Sequence, residues 1–261
     1  MLTGTLAQSV SAAESRGQEI GLRRDEVHMW RVALDQDGSW VSGLHALLSA
    51  DERQRAVRFR FPPDRERFVV ARAALRSVLA GYLRTPAWAL HFRYGARGKP
   101  ALRVGHGCAP PRFNLSHSHG TALIAVARHR ELGVDIERVS SQLDHEHLAE
   151  RFFSARELAD LRSLPAQQRR AAFFACWTLK EAYLKGRGDG LSRRLDRFDV
   201  AFNPGRPAAL VTDRDDPAAP GRWSLVSLQV EPGFSTALAV DGPVPRLTFR
   251  DWRPEEVGTW A

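Results

Sequence analysis

Two short stretches carry residue types that could manage a phosphate and a metal ion. In Gly133-Val134-Asp135-Ile136-Glu137 two carboxylates flank one isoleucine. On a strand, positions i and i+2 face the same side, so both would point together. Like charges so placed repel unless a cation lies between them. Hard oxygen donors favour magnesium, which keeps several waters and takes a few carboxylates together with phosphate oxygens. The same spacing also fits a solvated strand end paired with Arg138. In the second stretch Trp177, Glu181 and Lys185 recur at i, i+4 and i+8, which on a helix is one face drifting by about 40° per step. A glutamate four residues before a lysine is also an ordinary helix pair worth about 0.3–0.5 kcal/mol. The run Gly186-Arg187-Gly188-Asp189-Gly190 predicts that the helix stops directly after Lys185, leaving its ammonium at a loop edge.

Lysine is scarce. Of 38 basic residues only Lys99, Lys180 and Lys185 are lysine. A rotatable ammonium suits a crowded phosphate and can lose its proton, whereas a guanidinium effectively cannot. Phe113-Asn114-Leu115-Ser116-His117-Ser118 adds a hydroxyl and an imidazole at a predicted strand end, a combination suited to phosphate. A turn held by Ser and Asn side chains and a His117/His119 metal pair are competing readings. Gly95 to Pro100 could grip a phosphate, but it lacks P-loop spacing. Neither a nucleophile elbow nor a dinucleotide glycine fingerprint is present.

The elements that must position these residues follow from periodicity. Alternation predicts a strand over 28–34. A helix is expected over 42–58, its second part capped near Ser49, and an amphipathic helix over 64–83 with Arg65, Arg67, Arg72 and Arg76 on or beside its margins. Short strands are expected over 89–94, 111–115, 121–127 and 132–136. Helices should then cover 143–153, 154–163 (opened by a Ser154/Glu157 capping box) and 166–185. Strands over 198–202, 208–212, 223–230 and 235–240 complete the pattern. The order strand, helices, strands therefore occurs twice, meeting near residue 130. Residues 1–26 are weakly patterned and read as a disordered or extended segment, followed by halves at 27–130 and 131–261.

Composition bounds the class. An apolar fraction of 43% and 26% charged residues describe an ordinary globular chain of 261 residues. No apolar run approaches the roughly 18 residues of a membrane span, and two cysteines, Cys108 and Cys176, cannot build a disulfide framework or a cysteine-based zinc site. A cytoplasmic location is expected. The net charge of +8 is uneven: residues 1–130 hold 20 Lys+Arg against 10 Asp+Glu, and residues 131–261 hold 18 against 20. An anionic ligand between the halves fits this asymmetry, as does nucleic acid. A nucleic-acid module would account for the arginines but not for Asp135, Glu137 and Glu181 together, and no recognised nucleic-acid motif is present.

Taken in order, Gly98-Lys99-Pro100, Phe113 to Ser118, Gly133 to Glu137, Phe152-Phe153-Ser154 and Trp177-Thr178-Leu179-Lys180-Glu181-Ala182-Tyr183-Leu184-Lys185 resemble the 4′-phosphopantetheinyl transferases of the long, surfactin-synthetase-activating (Sfp-like) type. The resemblance spans roughly residues 28–240. It implies an α+β fold: a pseudo-twofold pair of similar α/β halves, each a small, mainly antiparallel three-stranded sheet with packed helices, in a monomer. It implies transfer of the 4′-phosphopantetheine arm of coenzyme A to a serine of an apo acyl or peptidyl carrier protein, with release of adenosine 3′,5′-bisphosphate. The cofactor would be Mg2+, with Mn2+ as an alternative, and neither nucleic acid nor membrane would be a partner. Broad service in secondary metabolism is implied by the long form.

Residue by residue, the resemblance matches Asp135, Glu137 and Glu181 to the metal positions and Glu181 also to the general base. Lys185 matches the lysine on the reacting phosphate. Ser116, His117, Lys99, Pro100, Arg67 and Lys180 match cofactor-binding positions. Arg53 and Arg55 stand where relatives often carry lysines, and Glu52 departs from that pattern.

Overall fold

The computed structural model describes residues 21–103, 109–190 and 193–257. Its first strand, β1 (Glu26–Ala33), is buried on both faces. Val27 and Met29 enter one apolar cluster, Trp30 and Val32 another. The helix expected over 42–58 is broken into α1 (Gly38–Leu44) and α2 (Ala50–Ala56). A 3-10 turn and the extended Leu48 intervene, and the Ser49 amide then donates to Glu52 at 3.0 Å. Pro62 and Pro63 open α3 (Pro62–Leu83), as suits positions whose amides lack helical acceptors.

A hairpin, β2 (His91–Tyr94) and β3 (Pro100–Arg103), precedes β4 (Arg112–Ser118), β5 (Thr121–Ala127) and β6 (Leu132–Arg138). Three helices follow: α4 (His145–Phe152), whose N-cap Asp144 accepts from the His147 amide, α5 (Ala155–Ser163) and α6 (Ala166–Arg187). Strands β7 (Phe198–Ala201) and β8 (Ala209–Asp213), the short α7 (Ala219–Arg222), then β9 (Trp223–Leu228), β10 (Phe234–Asp241) and β11 (Arg246–Trp252) complete the chain.

The two halves repeat one plan: strand, helices, a two-stranded hairpin, then two more strands. The sheet orders β1-β5-β4 and β6-β10-β9 correspond. Helix α3 covers the outer face of the first sheet and α6 that of the second. Between the sheets Met29, Leu123 and Ala125 meet Val134, Ile136 and Leu238. The resulting layers are helix, sheet, sheet, helix, and the α+β expectation of two similar halves holds.

One strand departs from the division at residue 131. β11 returns to the first sheet and pairs in parallel with β1, Glu26 opposite Arg246 through Val32 opposite Trp252. That sheet has four strands instead of three. The extension expected over 1–26 falls largely outside the described residues, as does Cys108, while Cys176 is a buried free thiol. Among the described residues no helix is long and apolar enough to cross a membrane.

Candidate active site

Alternation along β6 divides its side chains. Leu132, Val134 and Ile136 enter the inter-sheet core, which leaves Gly133, Asp135 and Glu137 on the face towards α6. Contact there is close. A Cβ at Gly133 would collide with the Ala182 carbonyl oxygen and the Gly186 amide nitrogen, and one at Gly186 would lie 2.7 Å from the Trp223 ring. Both glycines are therefore demanded by backbone approach. This contact also explains why the helix does not stop after Lys185. Gly186 is an interior residue of α6, and the left-handed C-cap is Gly188, at φ 76°. Lys185 thus projects from a formed helix turn.

The consequence is a cluster of charge. The Lys185 ammonium donates to Asp135 Oδ1 at 2.5 Å and to Ser116 Oγ at 2.9 Å. Asp135 is 2% exposed. Burial, then the neighbouring Asp135 charge, raise the carboxyl pKa of both Glu137 and Glu181. The three acids therefore lie close enough to act on one another electrostatically. Asp135 Oδ2 and Glu181 Oε1 are buried without a hydrogen-bond partner. Unsatisfied buried carboxylate oxygens under mutual repulsion fit a hard divalent cation. Among the described residues, however, no three His, Cys, Asp or Glu side chains close into a ready metal cage. The ammonium holds Oδ1 of Asp135 and leaves Oδ2 open.

Strand β4 reaches this cluster by side chains. Asn114 Oδ1 accepts from the Val134 amide at 2.9 Å, Ser116 donates to Asp135 at 2.9 Å, and Ser118 donates to Glu137 at 3.0 Å. The Arg138 amide donates to Ser118 at 3.1 Å. Positions i, i+2 and i+4 of β4 therefore stitch the two halves together. Asn114 and Ser118 had no assigned role from the sequence, although the polar alternation along 114, 116 and 118 was a usable signal.

On the other side of β4 lies a cavity of about 610 Å³ lined by Arg55, Arg67, Arg72, Pro100, His117 and His119 among others. Its walls are cationic and partly aromatic. Arg67 is fixed by Asp35 at 2.7 Å and Arg72 by the buried Glu52. Glu52 also receives Arg76 at 2.5 Å, so Arg76 is a core residue instead of a marginal one. Partial desolvation and then the Lys185 ammonium lower the His117 pKa, which links the cavity electrically to the cluster. The two histidines share the cavity wall without forming a three-ligand metal group among the described residues.

Two lysines expected at cofactor positions are engaged by groups of the protein itself. Lys180 is fully buried, donating to Glu157 at 2.6 and 2.7 Å and to the Phe198 carbonyl at 2.6 Å. On the helix it is turned away from Glu181 and Lys185 into the core, because one residue rotates the direction by about 100°. Lys99 donates to Glu131 at 2.9 Å and to the Leu132 and Gly186 carbonyls at 3.2 and 2.6 Å. Its neighbours Gly98 and Pro100 line the cavity, but Lys99 is absent from its wall.

Sequence comparison identifies the family. Residues 131–239 match the family model of the 4′-phosphopantetheinyl transferase superfamily, and residues 33–131 match the model described as 4′-phosphopantetheinyl transferase, N-terminal. The chain is 45% identical over 223 residues to the 4′-phosphopantetheinyl transferase HetI of Nostoc sp., covering 85% of this chain and 91% of that protein. It is 31% identical to the 4′-phosphopantetheinyl transferase psf-1 of Bacillus pumilus, covering 78% and 83%. Against the 4′-phosphopantetheinyl transferase Sfp of Bacillus subtilis the identity is 28%, over 76% and 84%. The chain belongs to the 4′-phosphopantetheinyl transferases, of the Sfp-like type, and is an enzyme of that class.

Proposed function

We propose that this transferase moves the 4′-phosphopantetheine arm of coenzyme A onto a serine hydroxyl of an apo acyl or peptidyl carrier protein, with Mg2+ held by Asp135, Glu137 and Glu181. The supporting observation is the meeting of those acids with Lys185 beside a cavity large enough for a nucleotide. Serine oxygen attacks the pantetheine-side phosphorus, the bond from that phosphorus to the bridging oxygen breaks, and adenosine 3′,5′-bisphosphate leaves. When bound, Mg2+ supplies charge neutralisation on the diphosphate.

The chain's own residues do the rest. Glu181, with its raised pKa, accepts the serine proton, since a carboxyl shifted towards neutrality is a better base. Lys185 binds the reacting phosphate and offsets charge that develops there. Ser116 and His117 hold phosphate oxygens, while Arg67 and Pro100 border the nucleotide. The cationic half around the cavity attracts the polyanionic co-substrate. The enzyme acts as a cytoplasmic monomer.

Incubating the protein with coenzyme A, Mg2+ and a panel of apo carriers, then weighing the carriers by mass spectrometry, tests this reading. The expected result is addition of the arm's mass to the carrier serine, dependent on the metal. No addition to any carrier would overturn it.

A further inference from the structure

The two alternate residues of the β2–β3 turn, Arg97 and Lys99, both grasp the end of α6. The last carbonyls of a helix lack intrahelical donors. Here the Leu184 carbonyl is taken by the Gly188 and Asp189 amides, and the Gly186 carbonyl by the Lys99 ammonium at 2.6 Å. Arg97 donates to the Asp189 carbonyl at 2.6 Å. An ammonium has three donors, and those of Lys99 are engaged by Gly186, Leu132 and Glu131. None is left over for a phosphate. A positive group at this end of the helix also matches its dipole.

The place of this clasp matters. Gly186 follows Lys185 directly, Leu132 begins the strand that carries Asp135, and Gly98 and Pro100 on either side of Lys99 line the cavity. One side chain therefore spans the nucleotide loop, the acidic strand and the helix bearing Glu181 and Lys185. We propose that Lys99 is a positioning residue for Lys185, clamping the helix end to the nucleotide loop instead of touching the coenzyme A phosphates. The inference rests on the function proposed above.

Lys99→Met keeps the apolar stem and removes the ammonium. Transfer to an apo peptidyl carrier protein is measured with coenzyme A and with 3′-dephospho-coenzyme A, and hydrogen exchange is followed over residues 184–189. The expected result is a kcat lowered about 10–100-fold, as for small misplacements of a reacting group, with KM for coenzyme A nearly unchanged. The preference for coenzyme A over the dephospho form should stay at the wild-type ratio, and exchange at the helix end should quicken. Arg97→Ala, which removes the outer contact, should show the same split more weakly and serves if the first variant does not fold. Loss of the 3′-phosphate preference, a raised KM with normal kcat, or no change at all would each overturn the proposal. If the wild-type protein itself transfers nothing, the reading of the reaction fails separately; unchanged exchange in Lys99→Met would then still overturn the clasp.

Discussion

Lys185 Nζ and Asp135 Oδ1 meet at 2.5 Å across the close contact of α6 with β6. The partners are unequally solvated: Asp135 is 2% and Lys185 30% exposed at the side chain. A buried carboxylate depends on its partner far more than a half-exposed ammonium does, so removing either has different consequences.

Lys185→Met should destabilise the metal-free protein by about 1–3 kcal/mol, less than for a fully buried pair because the lysine is partly solvated. The same change removes a cation competing for Asp135. Mg2+ should consequently bind more tightly to the variant, and its addition should raise the variant's Tm by more than that of wild type. Calorimetric titration and thermal melts check both. Equal Mg2+ affinity would show that ammonium and metal do not share the aspartate.

Glu181→Gln should separate stability from turnover. Burial and the Asp135 charge raise the Glu181 pKa, so in the folded state its ionised form is disfavoured. Stability contributed by the proton is present at low pH and lost as pH rises through the folded value. A neutral glutamine should therefore make the metal-free protein more stable at pH 8, while kcat falls by about 10²–10⁴-fold through loss of the base. Denaturant melts and single-turnover rates would test the pair; retained rate would remove Glu181 from proton transfer.

Lys180→Met leaves Glu157, itself 0% exposed, without its ammonium. The expected loss is about 3–5 kcal/mol. Replacing both partners in Lys180→Met/Glu157→Leu should recover part of that loss, because the Val200 and Ser154 amides still lose an acceptor. Coenzyme A affinity of the folded double variant should match wild type. A large fall in affinity would return Lys180 to the cofactor site.

His28 should govern part of the acid response. It is buried, meets the Tyr82 hydroxyl at 2.7 Å, and faces Glu26 and, more distantly, Arg250. Burial lowers its pKa. The unfolded chain therefore takes up a proton first, and stability falls as pH drops from about 6.5 towards the folded value. His28→Asn, which retains an acceptor for Tyr82, should flatten that part of the pH–stability curve. An unaltered slope below about pH 6.5 would assign it to other groups.

Much of the site could be read from spacing. Asp135 and Glu137 two apart on a strand, and Glu181 and Lys185 four apart on a helix, needed only the two periodicities to fall on common faces. What periodicity could not convey was how near α6 lies to β6. That depends on Gly133 and Gly186 meeting each other, a pairing between distant positions, and the glycine-rich run after Lys185 suggested a stop instead. Lys99 and Lys180 were singled out by residue type and by the family resemblance, neither of which says what surrounds the side chain. A rare ammonium can serve a helix end or a buried glutamate as well as a phosphate, and only the partners decide. The strand β11 was missed although Leu247 and Phe249 alternate with polar neighbours; its pairing with β1 bridges most of the chain.

That pairing places Glu26 beside Arg246. During synthesis β1 leaves the ribosome long before its second neighbour β11, which follows all the other strands. Until then one edge of the first sheet has open amides and carbonyls, a surface prone to pair with other chains. The first sheet consequently stays incomplete until β11 has been made, and a chain truncated after β10 would carry that sticky edge permanently.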